Sequence, residues 1–342
     1  MSKRIALVLG SGGARGYAHI GVIDELQARG YEIACIAGCS MGAVVGGIFA
    51  AGKLNEYRDW TQSLDYLDVL RLLDVSFRLG AIRGEKVFGQ IREIVGEIDI
   101  EALPIPFTAV ATDLTNQQEI WFQEGCLHQA MRASAAIPSL FTPVVQGKRM
   151  LVDGGLLNPL PIVPVVSSHC DLIVAVNLNS TSGPHYELPV IERPAALKGR
   201  IDQLMNNLGS RLPSFKRKPG EDDQLLLLEN AANQLTETAI NPWQQHARPA
   251  LDKAAMPKSA SGSRLADLSG PASLLELINQ SFEVMQTSLA QYKIAGYPPD
   301  ILINVPKRAC RFFEFYKAPE LIMLGRQVAS DTLDRYERGE NH

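Results

Sequence analysis

The sequence predicts an α/β fold, a mainly parallel sheet with helices packed on both faces. Three observations carry this expectation. Short apolar runs such as Ile5-Ala6-Leu7-Val8-Leu9 and Asp171-Leu172-Ile173-Val174-Ala175-Val176-Asn177 lack in/out alternation, as strands covered on both faces do. Helix-compatible stretches separate the runs, the order that a parallel sheet requires. A chain of 342 residues with 46% hydrophobic content can bury such a core, as one large domain or two smaller ones.

Taken in order, Ile5 to Leu9 is the first strand. Preceded by Met1-Ser2-Lys3-Arg4 it mimics a signal peptide, but the run stops at Gly10 after about five residues, short of an h-region of about 7–15. A helix is expected from about Ala14 to Arg29, with Gly30 as its stop. Tyr31 to Ala37 reads as a second buried strand, and Met41 to Ala51 as a small, apolar helix lying close on a sheet. Residues 53–103 are mixed in character and mostly helical, with Gly80, Gly84, Gly89 and Gly96 marking breaks. Pro104 to Ala111 is a strand, Glu119 to Phe122 an edge strand, and Gly125 to Ala136 a helix ending near Pro138. Arg149 to Asp153 is a short strand running into Gly154-Gly155, and Asp171 to Asn177 is the last clear core strand. Residues 180–270 hold Ser/Thr/Pro/Gly stretches with helical pieces at Leu197 to Leu212 and Gln224 to Leu235, and are expected to be a polar, partly disordered insert or lid. From Ser273 to Tyr292 the helical period returns. Leu274, Leu277, Ile278, Phe282, Met285 and Leu289 form one stripe, expected to be core before it is a lipid-contacting face. Ile301 to Val305 is a strand and Ala318 to Arg335 a closing helix.

Composition narrows the function. A net charge of −4 offers no field for nucleic acid, and the densest basic cluster, Lys216-Arg217-Lys218, reads as a solvated loop. No stretch approaches the roughly 18 apolar residues of a spanning helix. The five cysteines, Cys35, Cys39, Cys126, Cys170 and Cys310, are odd in number and show no metal spacing, as suits reduced thiols in a cytoplasm. Cys39 is expected to be a small packing residue.

Chemistry concentrates in Gly38-Cys39-Ser40-Met41-Gly42. A Gly-x-Ser-x-Gly string between a strand and a helix forms a nucleophile elbow, with the serine at the tip of a tight turn. A serine hydroxyl needs a base and a pocket for the developing oxyanion. Upstream, Gly10-Ser11-Gly12-Gly13-Ala14-Arg15-Gly16 follows a strand and opens a helix, an anion cradle of backbone N–H groups. It lacks the Gly-Lys-Ser/Thr of a P-loop, and no carboxylate ends the second strand as a dinucleotide fold requires. For the base, His169 is the best placed of the six histidines. Asp153, at a strand end beside two glycines, is the alternative. Alone it reads as a turn cap; together with Ser40 and the glycine loop it reads as a base.

These residues carry a resemblance. Ser11-Gly12-Gly13-Ala14-Arg15-Gly16, Gly38-Cys39-Ser40-Met41-Gly42 and Asp153-Gly154-Gly155 occur in the order and at the spacings of patatin-like phospholipases. The chain looks closest to the bacterial branch related to neuropathy target esterase. Pro106 to Leu114 and Ala133-Ser134-Ala135-Ala136-Ile137-Pro138 match as well. The likeness is good over about residues 4–180 and loose over 271–330. It implies a patatin-like three-layer sandwich; the expected organisation is a core at 1–179, the insert at 180–270, which has no clear counterpart in the family, and a C-terminal segment at 271–342 packing on the core. It implies a Ser-Asp dyad of Ser40 and Asp153, an oxyanion hole around Gly12 and Gly13 oriented or supported by Arg15, and support from Ser11, Gly16, Gly38, Gly42, Gly154 and Gly155. The implied reaction is acyl-ester hydrolysis through an acyl-serine, on phospholipids, lysophospholipids or simpler esters, with no metal or other cofactor. A cytoplasmic enzyme touching the inner membrane surface transiently, with a homo-oligomer open, completes the expectation. A noncatalytic lipid- or acyl-binding regulator on the same fold is the alternative. Ser11 departs from the family pattern, standing where many relatives have the first glycine.

Overall fold

The computed structural model describes residues 3–65, 84–138, 141–181 and 274–340, with residues 68, 69, 72, 75, 76, 81, 82, 186, 188, 189 and 191 between them. The helices expected at Leu197 to Leu212 and Gln224 to Leu235 lie outside the described residues. The chain divides into two units, residues 1–191 with 278–342, and residues 192–277. Everything about the site below concerns the first.

Its sheet has eight strands. They are β1 (Arg4–Leu9), β2 (Glu32–Cys39), β5 (Phe107–Asp113), β6 (Gln118–Phe122), β7 (Val144–Gln146), β8 (Arg149–Asp153), β9 (Leu172–Ser180) and β10 (Ile301–Pro306). Two further short strands, β3 (Val75–Ser76) and β4 (Ala81–Ile82), pair only with each other. The order is β10-β9-β1-β2-β5-β8-β7, with β6 also on β5. From β10 to β5 every pairing is parallel, and β6, β7 and β8 are antiparallel additions.

The missing alternation in the first strand has a direct cause. Ile5, Leu7 and Leu9 share one core cluster with side chains of α1 (Ala18–Ala28), α2 (Met41–Ala50) and α7 (Ala318–Glu337). Ala6 and Val8 turn the other way, into a cluster with Leu160, Ile162, Val165 and Ala290. Both faces of the sheet are therefore covered, the three-layer α/β architecture expected from the sequence. Covering the lower face are the 160–165 segment and α6 (Leu274–Gly296).

Several elements differ from expectation, each for a physical reason. The first helix does not start at Ala14. Gly13–Tyr17 is a 3-10 turn and the α-helix begins at Ala18, because Gly13 sits at φ 56° and the Ala14 N–H is drawn to the Phe312 carbonyl at 2.9 Å. Gly89 does not break a helix but lies inside α4 (Glu85–Val95), which the buried side chains of Phe88, Ile91 and Val95 hold down. Each such burial contributes about 1.5–3 kcal/mol, more than the ~1 kcal/mol that a helical glycine costs. The polar-apolar region before it contributes α3 (Leu54–Ser63) and the β3–β4 pair. The stripe expected in α6 is only partly core. Leu277 and Ile278 are exposed, whereas Gln286 and Ala290 are fully buried. At Gln286 the buried edge of α6 meets a polar partner, Ser11, which a count of apolar positions does not register. Among the described residues, no helix is long and apolar enough to cross a membrane.

Candidate active site

Ser40 follows β2 directly and precedes α2, at φ 56° and ψ −124°. A left-handed non-glycine residue stores about 1–3 kcal/mol of strain, which the surroundings must hold. They do so by close approach. A Cβ at Gly38 would lie 2.4 Å from the Gly42 carbonyl oxygen, and one at Gly42 would lie 2.1 Å from the Leu9 carbonyl oxygen. Only glycine fits either side of the elbow. Ser134, at the end of α5 (Leu127–Ser134), adds a tether that sequence reasoning missed. The Ser40 N–H donates to its Oγ at 2.9 Å, and that hydroxyl donates onward to the Val110 carbonyl at 2.6 Å. Its only sequence signal was the Ala133-to-Pro138 stretch, which assigned it no task.

The meeting of Ser40 and Asp153 follows from register. On β5, Ala109 and Val110 pair with both β2 and β6, and residues 111–113 pair with both β6 and β8. A strand has two edges, so β2 and β8 share the same edge of β5 and meet end to end. Cys39 stands opposite Val110, and Asp153 stands opposite Ala111, the next residue. The Ser40 hydroxyl then donates to Asp153 Oδ2 at 2.5 Å. Asp153 Oδ1 accepts from the Gly155 N–H at 2.7 Å. The turn cap and the serine partner are thus both realised, one on each carboxylate oxygen. Gly154 permits the approach, since a Cβ there would lie 2.2 Å from the Val110 carbonyl oxygen.

Electrostatics favour a base near neutrality. Burial pushes the Asp153 carboxyl up to about 7, against the smaller opposing pull of the Ser40 and Gly155 hydrogen bonds. Among the described residues, no cation pairs with it. Burial also pushes the neighbouring Cys39 thiol well above its ordinary range, with the Asp153 charge adding to the effect, so Cys39 is a packing residue.

The glycine loop lies beside this pair. Gly16 packs so tightly on α2 that a Cβ there would lie 2.3 Å from Met41 Cβ. Among the described residues, no group accepts a hydrogen bond from the Gly12 or Gly13 N–H. Ser11 is not at positive φ, so a serine is sterically acceptable at this position of the loop. Arg15 is buried behind the loop. Its guanidinium donates to the Cys310 carbonyl at 3.2 Å and pairs with Glu283 at 3.1 Å.

The histidines fall elsewhere. His169 precedes β9, at the N-terminal ends of the parallel strands, whereas Ser40 stands at their C-terminal ends. The His169 carbonyl accepts from Arg4, the first residue of β1. His19 is buried with Nε2 at 2.8 Å from the Gly10 carbonyl, so Nε2 carries the proton, and burial pushes its pKa down to about 4. His128 bonds the Phe88 carbonyl. His185, His246 and His342 lie outside the described residues.

An apolar pocket opens at Ser40. Met41, Val44, Trp60, Phe88, Ile91 and Phe141 are among its walls, together with Ser40.

Comparison with known proteins places this geometry. Residues 7–166 match the family described as patatin-like phospholipase. An uncharacterized NTE family protein of Mycobacterium tuberculosis is 41% identical over 98% of this chain and 93% of its own length. A second such protein from that organism is 31% identical over 63% of this chain and 37% of its own length. The neuropathy target esterase sws of Drosophila persimilis is 32% identical over 46% of this chain and 11% of its own length. The crystal structure of VipD from Legionella pneumophila is a distant likeness, with a TM-score of 0.40, 17% identity, and coverage of 66% of this chain and 58% of that one.

Proposed function

Because the chain belongs to the patatin-like phospholipase family, in its NTE branch, we propose that it is a serine acyl-ester hydrolase working through a Ser40–Asp153 dyad. The observation that carries the proposal is the 2.5 Å contact between Ser40 Oγ and a buried, only partly compensated carboxylate. Asp153 Oδ2 takes the hydroxyl proton as Ser40 Oγ attacks the ester carbonyl. The negative charge that develops on the carbonyl oxygen is received by the N–H groups of Gly12 and Gly13, which have no acceptor among the described residues. Asp153 then returns the proton to the departing alcohol, leaving an acyl-Ser40. Water, deprotonated by Asp153, attacks that ester, and the proton passes back to Ser40 as the fatty acid leaves. A histidine relay is unnecessary when burial has already brought the carboxylate pKa to about 7.

The apolar pocket supports an acyl chain as the part of the substrate held beside Ser40. Phospholipids, lysophospholipids and simpler carboxylic esters are the substrate class, met at a membrane surface to which the enzyme binds peripherally from the cytoplasm. Two experiments test the proposal. A fluorophosphonate should modify Ser40, located by peptide mass spectrometry, and purified protein should release fatty acid from a lysophospholipid panel. Undiminished ester turnover in Ser40→Ala would end it. Liposome binding without hydrolysis of any ester would instead favour a lipid-binding regulator.

A further inference from the structure

The glycine loop is gripped from outside the stretch that matches the family. Gln286 lies on α6, on a helix edge otherwise occupied by Phe282, Met285, Leu289 and Ala290, and is fully buried. Its Nε2 donates to Ser11 Oγ at 2.9 Å. Its Oε1 is buried without a hydrogen-bond partner among the described residues. An apolar side chain of similar length would fill the same volume without stranding a carbonyl, so packing alone does not account for the amide. The same amide presses on the carboxylate turn. A Cβ at Gly155 would lie 2.1 Å from Gln286 Nε2 and 2.9 Å from both Asp153 Oδ1 and Ser11 Oγ.

Ser11 is held from three directions. Its N–H donates to the Pro159 carbonyl at 2.8 Å, its carbonyl accepts from Asn179 Nδ2 at 2.9 Å, and its hydroxyl accepts from Gln286. One helical turn before Gln286, Glu283 pairs with Arg15 at the other end of the loop. The α6 helix therefore holds the loop at Ser11 and at Arg15, on either side of Gly12 and Gly13.

We propose that Gln286 is a positioning residue of the oxyanion hole: through the Ser11 hydroxyl it fixes the direction of the Gly12 and Gly13 N–H groups. Ser11 is on this account a functional departure from glycine, the acceptor that lets a C-terminal helix set the loop. The proposal rests on the hydrolase mechanism above, and one arm of its test does not.

Gln286→Met keeps the volume and removes the donor; Ser11→Gly removes the acceptor. Each should lower kcat about 10- to 100-fold, below the roughly 100- to 1,000-fold loss of an oxyanion donor itself. KM and the midpoint of the pH profile should stay unchanged, because neither substitution removes a wall of the acyl pocket or a hydrogen bond to Asp153. The double variant should be no slower than the slower single variant, since both break one bond. Independently of turnover, amide hydrogen exchange of the peptide spanning residues 10–14 should quicken at least about tenfold in either variant. Unchanged kcat, a shifted pH midpoint or multiplying losses would overturn the proposal, as would unchanged exchange at the loop. Should Gln286→Met fail to fold, Ser11→Gly decides by the same readouts. A wild-type protein without ester turnover counts against the hydrolase mechanism; the exchange measurement then still decides whether Gln286 orders the loop.

Discussion

Asp153 and Arg15 are both fully buried charged residues of one site, and their surroundings treat them oppositely. Arg15 is compensated: Glu283 pairs with it at 3.1 Å, backbone carbonyls of Lys307 and Cys310 accept from it, and Asn179 adds a further acceptor. Asp153 is given one hydroxyl and one N–H, and no cation. A buried charge paired with a counter-charge holds structure, as Arg15 does through Glu283 even though its Nε has no partner among the described residues. A buried charge with partial compensation sits near its titration point and can exchange a proton. On the proposed mechanism, the same site separates a strut from a base by which buried charge is given a counter-charge.

The strongest break in that contrast is at the group Asp153 serves. Ser40→Ala should cost at least about 10,000-fold in kcat/KM on a soluble ester, leaving an intact fold by circular dichroism. Asp153→Asn should cost about 1,000-fold or more, since an amide cannot take the serine proton.

The pH dependence sharpens the comparison. Ionised Asp153 is the active form, so kcat/KM should rise with pH to a plateau with a midpoint near 7, falling about tenfold per pH unit below it. Stability should run the other way. The folded carboxyl titrates near 7 and the unfolded one near 3.8, so its favourable contribution is complete below about 4 and is lost as pH rises through 7. Asp153→Asn escapes that loss. Its stability advantage in urea unfolding should be small at pH 4 and open to about 1–4 kcal/mol by pH 8. An advantage that shrinks with rising pH would show that Asp153 is compensated after all.

Arg15→Met should behave as the loss of a strut, destabilising the fold by about 1–3 kcal/mol at every pH from 5 to 9, because the Cys310 carbonyl and Asn179 Oδ1 lose their donor while Glu283 keeps Lys307. The smallest effect is expected at His169, on the opposite end of the strands, where His169→Ala should change turnover less than about twofold. A loss like that of Asp153→Asn would restore a histidine base.

Legibility in the sequence followed the range of the contacts. The elbow was readable because its determinants are local: a strand, two glycines without room for a Cβ, and a small-residue helix. The sheet was readable because Ile5 to Leu9 must satisfy two cores at once, which leaves an unbroken apolar run. The first helix was misjudged because a backbone bond to Phe312, far along the chain, delays it. Ser134 and Gln286 were hidden for the same reason. Each is an ordinary residue in its own helix, and its task lies in a partner on a different element.

The sequence by itself determined the strands, the elbow and the Asp153-Gly154-Gly155 turn, because each depends on backbone sterics and burial patterns within a few neighbouring residues. Only the tertiary structure decided that Asp153 faces Ser40. That outcome rests on β2 and β8 meeting on one edge of β5, at adjacent residues Val110 and Ala111. It also decided which buried charge is paired and which is not. Burial and compensation are sums over groups brought together from distant parts of the chain, and no window of sequence contains them.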